Sequence, residues 1–340
     1  MTDSRDGVVT RAVKGDREQG SRPLVSVVIP TYDRPAMLRS AVESVARQSY
    51  RPIELVVVDD HSPTPAARSL PDEIRDVFHD VTVLRHDENR GSNVARTTGI
   101  RAANGDYVAF LDDDDRWESE KIDRQIGALE AADENVAVAY TGTRYVNEAG
   151  EELLVTTPSV SGDVTRALLA GKSVEEFSTV VVRADVIDEA GLPDPDLPTW
   201  QDREWYLRLS RHCKFAAVSE PLTIRTMDHG DQISDQYEIK RDVSFPRILE
   251  RHQPLAAEFG WRYERRFRTS LLELLAWAAL KNERYSDARR HLFDALRCYP
   301  FSRRTYVYLF PALGGQRVHS LARDSMRIIR AVAARISGRH

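Results

Sequence analysis

From position 24 onward the apolar residues fall into short blocks that alternate between two periods. Leu24 to Ile29 (Leu-Val-Ser-Val-Val-Ile) is a near-continuous β-branched run, the pattern of a strand buried on both faces of a parallel sheet, and Pro30 ends it. Between Ala36 and Gln48 the residues Met37, Leu38, Ala41, Val42 and Val45 recur at helical spacing, and Ile53 to Val58 is a second buried-strand run. Residues 24–58 therefore predict one β-α-β unit. Val81–Leu84 predicts a third strand, Gly91–Ala103 a helix and Tyr107–Leu111 a fourth strand, with turn-forming residues between them. The alternation predicts an α/β fold: a Rossmann-like, mostly parallel sheet flanked by helices. Such sheets bind ligands beyond the carboxyl ends of their strands, here just after Ile29, Val58 and Leu111.

From about residue 240 the period becomes helical throughout. Leu271, Leu272, Leu274, Leu275, Ala278 and Ala279 mark one helix, and Ala288, Leu292, Ala295 and Leu296 another, ended by Pro300. Tyr285 to Pro300 is similar to one tetratricopeptide helix, but a stacked array needs about three copies and the chain offers one. In the last stretch Val318, Leu321, Ser325, Ile329, Val332 and Ile336 share one face, with Arg323, Arg327 and Arg330 opposite. Two destinations suit such a basic amphipathic helix: an anionic membrane surface, or the body of the protein through its apolar stripe.

These patterns divide the 340 residues into three parts. Residues 1–22 lack apolar periodicity and are expected to be a disordered tail. Residues 23–235 form an α/β domain, with one half at about 23–115 and a second at about 116–235, and residues 236–340 form a basic helical domain. Charge sharpens the last boundary. Residues 1–235 hold 27 Lys and Arg against 43 Asp and Glu, whereas residues 236–340 hold 21 against 10. An acidic body argues against nucleic acid as a partner of that part. No apolar run approaches the roughly 18 residues of a membrane span, and the first residues lack the apolar core of a signal peptide, so a cytoplasmic location is expected. Cys213 and Cys298 sit in no metal-ligand spacing and are expected to be reduced, buried thiols.

All three strand ends carry acid: Asp33 after the first, Asp59 and Asp60 after the second, and Asp112 to Asp115 after the fourth. Like charges a few ångströms apart repel by roughly 4 kcal/mol at an effective dielectric of 20, so a positive partner is expected there. In an extended segment Asp112 and Asp114 would face one way and Asp113 and Asp115 the other. Two hard oxygen donors on one face suit Mg²⁺ or Mn²⁺, which fills its remaining positions with water and phosphate oxygens. A capping turn for a following helix is the plainer alternative.

The successive segments Val-Ser-Val-Val-Ile-Pro-Thr-Tyr-Asp-Arg (25–34), Val-Val-Val-Asp-Asp-His-Ser (56–62), Asn-Arg-Gly-Ser-Asn-Val-Ala-Arg (89–96) and Gly-Asp-Tyr-Val-Ala-Phe-Leu-Asp-Asp-Asp-Asp (105–115) resemble the motifs of glycosyltransferase family 2. These are inverting sugar-nucleotide transferases of the GT-A fold. The resemblance covers roughly residues 23–235. It implies that Pro30, Thr31, Tyr32 and Asp33 bind the nucleobase and ribose, and that Asp59, with Asp60, accepts a hydrogen bond from the base. A carboxylate suits a uracil imide N–H, so UDP is the preferred carrier, with GDP and dTDP kept as alternatives. It further implies that Asp112 and Asp114 form the Asp-x-Asp element, Asp114 on the metal and Asp112 nearer the ribose or a metal-bound water, with Asp113 in the nucleotide site. Arg96 would meet the diphosphate or acidic residues. Thr97 stands where the family more often has Asn.

Inverting transfer is a single displacement that needs a base for the attacking hydroxyl. Trp200-Gln201-Asp202-Arg203 resembles the family's Glu-Asp element with Gln in place of Glu, which implies Asp202 as the general base; a carboxylate favouring a helix N-terminus is the alternative. Trp200 and Trp205 suit either an acceptor pocket or the core. By resemblance His229, in Met227-Asp228-His229-Gly230, reaches the diphosphate or metal. The expected partners are a nucleotide-sugar donor and a glycan or lipid-linked acceptor, with peripheral membrane contact through the C-terminal helix. A nucleotidyltransferase of related fold and a noncatalytic sugar- or membrane-binding scaffold are the competing readings. The first is disfavoured because Pro-Thr-Tyr-Asp-Arg is not a glycine-rich phosphate loop.

Overall fold

The computed structural model describes residues 22–70, 72–227 and 236–314. Residues of the expected N-terminal tail up to position 21, His229 and the amphipathic stretch from Val318 to Ile336 lie outside the described residues.

The chain forms two compact units. Among the described residues, the first comprises those up to Val164, Val174–Pro195 and Glu204–Met227; the second comprises Thr165–Ser173, Asp196–Arg203 and residues 236–314. In the first unit the predicted strands are present as β1 (Val25–Thr31), β2 (Ile53–Asp59), β3 (Asp80–Arg85) and β4 (Tyr107–Phe110). All four are parallel to their neighbours in the order β4-β1-β2-β3. The chain then adds β5 (Asp115–Trp117), β6 (Val136–Tyr140), β7 (Thr143–Val146), β8 (Glu152–Val155), β9 (Val180–Arg183), β10 (Lys214–Ala217) and β11 (Thr223–Thr226). Strands β9, β6 and β10 extend the main sheet to seven, in the order β10-β6-β9-β4-β1-β2-β3, with β9 antiparallel to both β4 and β6. Strands β5, β11, β7 and β8 make a second, four-stranded sheet.

Every residue of β1 and β2 is buried, as expected of strands covered on both faces. The helix Pro35–Ala46 presents Leu38, Ala41, Val42 and Val45 to this core, whereas Met37, at the same period in sequence, is exposed. The helix Ser92–Ala102 lies so close to β1 that a Cβ on Gly99 would fall 2.3 Å from Val28 Cγ1, which explains a glycine in a helix interior where it costs about 1 kcal/mol relative to alanine. Phe110, Phe177, Trp205, Tyr206 and Phe215 form a chain of ring contacts at 5.5 to 6.4 Å. Trp205 is fully buried among them, its Nε1 donating to Gly191 O, so it belongs to the core. Cys213 is buried, and burial pushes its thiol up to about 12; Cys298 is only half-buried, where burial of both was expected.

Gln125, fully buried on the helix Lys121–Glu130, ties this core together through polar bonds. Its Nε2 donates to Ala139 O on β6 and to Thr179 O at the start of β9, while its Oε1 accepts from the buried Lys121 Nζ at 2.6 Å. Gln125→Leu removes three hydrogen bonds from a dry interior: it takes a donor from Ala139 O and from Thr179 O, which keeps Thr141 N, and the side-chain acceptor from the Lys121 nitrogen. It is expected to cost about 3 kcal/mol or more of unfolding free energy, read from urea melts; a loss below about 1 kcal/mol would show these bonds to be replaceable by water.

In the second unit the helices Phe245–Glu258, Trp261–Lys281 and Tyr285–Cys298 cover the two segments the sequence pattern marked. Buried Glu273 accepts from Ser302 Oγ and Thr305 Oγ1, both at 2.5 Å, and so anchors the start of the helical segment 303–314. No helix among the described residues is long and apolar enough to cross a membrane.

Candidate active site

The carboxyl ends of β1, β2 and β4 bear the loops that carry the acidic motifs, and hydrogen bonds join all three. Thr31 O accepts from Asp60 N, and Thr31 Oγ1 donates to Asp113 Oδ2 at 2.7 Å. Asp33 N donates to Ser62 Oγ, and Asp33 and His61 both hold left-handed backbone (φ 53° and 71°), a conformation that Asp and His tolerate better than most side chains. Tyr32 is half-exposed on this loop, while Ile29 beneath it is fully buried.

Asp59 is 1% exposed and both of its oxygens are engaged: Oδ1 accepts from Ser62 N, and Oδ2 from Ala66 N and Arg85 NH1. Burial works to raise its pKa, but these bonds and the Arg85 charge outweigh it and hold the carboxyl below its usual range. Asp60 is buried too, accepting from Arg90 N and Gly91 N and paired with His86 Nδ1 at 2.7 Å. Both carboxylates therefore order the loops 61–66 and 86–91. A base N–H donating to Asp59 would have to compete with a dense set of internal donors.

After β4 the chain does not run on extended. A turn closed by Asp115 N donating to Asp112 O replaces the strict alternation expected from sequence. As a result Asp112, Asp114 and Asp115 bring carboxylate oxygens within 4.8 Å of one another, and Asp113 is the one turned aside, toward Thr31 and Arg34. The placing of Asp112 with Asp114 stands; the placing of Asp115 on the opposite side is corrected. Burial pushes Asp113 up to about 6, against the pull of Thr31 and Arg34. Burial also drives Asp115 well above the usual carboxylate range, with Arg225 opposing.

The positive charge expected beside these acids comes from three arginines. Arg96, on the helix Ser92–Ala102, is buried; it pairs with Asp112 and lies 4.4 Å over the Phe177 ring, so the aromatic core supports it from below. Arg34 NH1 reaches Asp113 Oδ1 at 3.2 Å and Asp114 Oδ2 at 3.1 Å. Arg225 on β11 stands directly across from Asp115 in the antiparallel pairing with β5, its Nε 4.0 Å from Asp115 Oδ1 and its NH1 3.1 Å from Glu176 Oε1. Glu176 also accepts from Tyr145 OH, and burial, with Glu176 adding to it, pushes neighbouring Glu175 up to about 7. Arg34, Arg225 and Glu176 were given no role from sequence, and Asp115 was named in the acidic run but placed away from Asp112 and Asp114. Arg34 adjoins a motif and could have been; Arg225 lies 110 positions from Asp115 and gives no local signal.

The donor set fits a hard divalent cation. Three carboxylates converge, and Asp115 Oδ1 is buried without a hydrogen-bond partner, an atom whose desolvation a cation would offset. Asp112, Asp114 and Asp115 are the residues that would hold it.

Asp202 belongs to the second unit, in the first turn of the helix Gln201–Leu209, where its Oδ1 accepts from Arg203 N at 2.7 Å. Trp200 just before it has φ 60°.

A mostly parallel sheet with an acidic carboxyl edge, continued by a second sheet through the strand that follows the aspartates, defines the GT-A class of glycosyltransferase fold. Solved structures agree. The chain is similar to TarS of S. aureus in complex with UDP-GlcNAc (TM-score 0.55, 17% identity, 92% of this chain and 91% of that one). It is also similar to the mannosyltransferase PcManGT of Pyrobaculum calidifontis in complex with GDP-Man and Mn²⁺ (TM-score 0.53, 16% identity, 98% and 92%). Residues 26–164 match the model of Glycosyl transferase family 2, and the chain carries a domain of that family. An uncharacterized glycosyltransferase of Rickettsia felis is 28% identical over 221 residues, 62% of this chain and 35% of that protein. The first curated relatives are matched over between 35% and 51% of their own length.

Proposed function

We propose that the protein transfers a sugar, with inversion, from a nucleotide-sugar to a hydroxyl of a glycan or lipid-linked acceptor, and that UDP is the preferred carrier. One observation carries this reading: Asp112, Asp114 and Asp115 converge at the sheet edge where the β1 and β2 loops also meet. UDP-GlcNAc in TarS and GDP-Man with Mn²⁺ in PcManGT support a nucleotide-sugar donor and a divalent cation, Mg²⁺ or Mn²⁺.

In this reading Pro30, Thr31, Tyr32 and Asp33 line the nucleoside, with Tyr32 offering a half-exposed ring to a base. Asp59 and Asp60 order the loops that hold it, and Arg96 fixes Asp112. The cation, when bound, supplies charge against that developing on the departing diphosphate. Asp202 takes the proton from the attacking hydroxyl, on the resemblance of its segment to the family's Glu-Asp element. A cytoplasmic site of action, at the membrane when the acceptor is lipid-linked, completes the proposal.

The test is a turnover screen over UDP-, GDP- and dTDP-sugars with Mn²⁺ and with Mg²⁺. Release of UDP that stops on chelation is the expected result. Failure of all three donor classes with both metals, with no UDP binding, would leave the noncatalytic scaffold standing.

A further inference from the structure

Among the three arginines that meet the aspartate cluster, Arg34 differs in kind. Arg96 is buried and stacked on Phe177, and Arg225, with its side chain 25% exposed, is engaged by both Asp115 and Glu176. The Arg34 side chain is 49% exposed, and it meets Asp113 and Asp114 through one terminal nitrogen. Its remaining N–H groups are left for an anion, and a guanidinium offers five donors in a planar fork suited to phosphate oxygens. The same Asp114 oxygen that Arg34 holds, Oδ2, belongs to one of the three carboxylates that converge. Arg34 and a cation therefore compete for Asp114, while Arg34 and a diphosphate attract.

We propose that Arg34 is an exchangeable counter-ion that couples the two ligands: it occupies Asp114 until a nucleotide diphosphate draws it away, and so makes the cation and the nucleotide each favour the binding of the other. This rests on the nucleotide-sugar reading above. Removing a competitor from Asp114 strengthens cation binding, and linkage requires that the nucleotide and the cation raise each other's affinity by one common factor. Arg34 would then serve as a positioning residue for the diphosphate and as a guard against a cation held without substrate.

Mn²⁺ binding, followed by the loss of free Mn²⁺ electron paramagnetic resonance signal, and UDP binding by calorimetry test this on the full chain. The variants are Arg34→Met and Arg34→Lys, with Arg39→Met, an exposed arginine of the following helix paired with Glu43, as control. Arg34→Met is expected to bind Mn²⁺ alone about fivefold more tightly than the wild type and UDP alone about tenfold more weakly, with a smaller mutual enhancement. Arg34→Lys should fall between, and Arg39→Met should match the wild type. Mn²⁺ affinity unchanged or weakened in Arg34→Met, in a wild type that binds both ligands, overturns the counter-ion role alone. A wild type that binds neither Mn²⁺ nor UDP overturns the nucleotide-sugar reading with it.

Discussion

Asp114→Asn is expected to lower sugar-nucleotide turnover about a thousandfold, a loss of roughly 4 kcal/mol of transition-state stabilisation, while leaving the fold intact. The substitution keeps size and removes one negative charge from the cluster Asp112, Asp114 and Asp115. Asp114 is the most open of the four consecutive aspartates whose pairings are described, with its side chain 40% exposed, so it contributes little to packing. Its replacement should cost less than about 1 kcal/mol of stability. Mn²⁺ affinity should fall in parallel with turnover. Metal-free UDP binding should hold or improve, because Arg34 loses one of its two carboxylate partners. Retention of more than a tenth of wild-type turnover would remove Asp114 from the metal set.

Asp202→Asn is expected to lower turnover by a similar factor through a different step. Loss of a positioned base costs about 10²- to 10⁴-fold, and the wild-type rate should rise with pH and level off above the pKa of the base, whereas the variant should lack that limb. Binding of UDP and Mn²⁺ should be unchanged, since the acid sits on the helix Gln201–Leu209 and outside the aspartate cluster's own segment. The competing role has a separate signature. A carboxylate that only favours a helix N-terminus contributes about 0.3–1 kcal/mol of stability, so a small drop in melting temperature with full turnover would assign Asp202 to structure.

The parallel part of the sheet was legible because its strands are buried on both faces and so read as unbroken apolar runs. Val25–Ile29 and Ile53–Val58 required no tertiary information to be recognised. The run Val180–Val182 has the same composition, yet β9 runs antiparallel. Strand direction depends on the side from which the connection returns, which the residues of the strand do not encode. Helix faces were legible in part: Leu38 and Val42 are buried as their period implies, while Met37 at the edge of the stripe is exposed. Trp205 was undecided between pocket and core because an indole suits both; its ring contacts with Phe110 and Phe177 place it in the core.

For the site, the sequence alone determined that three acidic segments follow strand-like runs, and hence that carboxylates gather at one edge of an α/β sheet. That much follows from strand periodicity and from the rule that loops at the carboxyl ends of parallel strands share an edge. The tertiary structure decided which carboxylates converge and what offsets them. The turn after Asp112 brings Asp115 to Asp112 and Asp114, a short-range backbone choice that a four-aspartate run leaves open. The pairing of β5 with β11 then brings Arg225 across from Asp115, because hydrogen-bond register between strands far apart in sequence is settled only when the sheet forms.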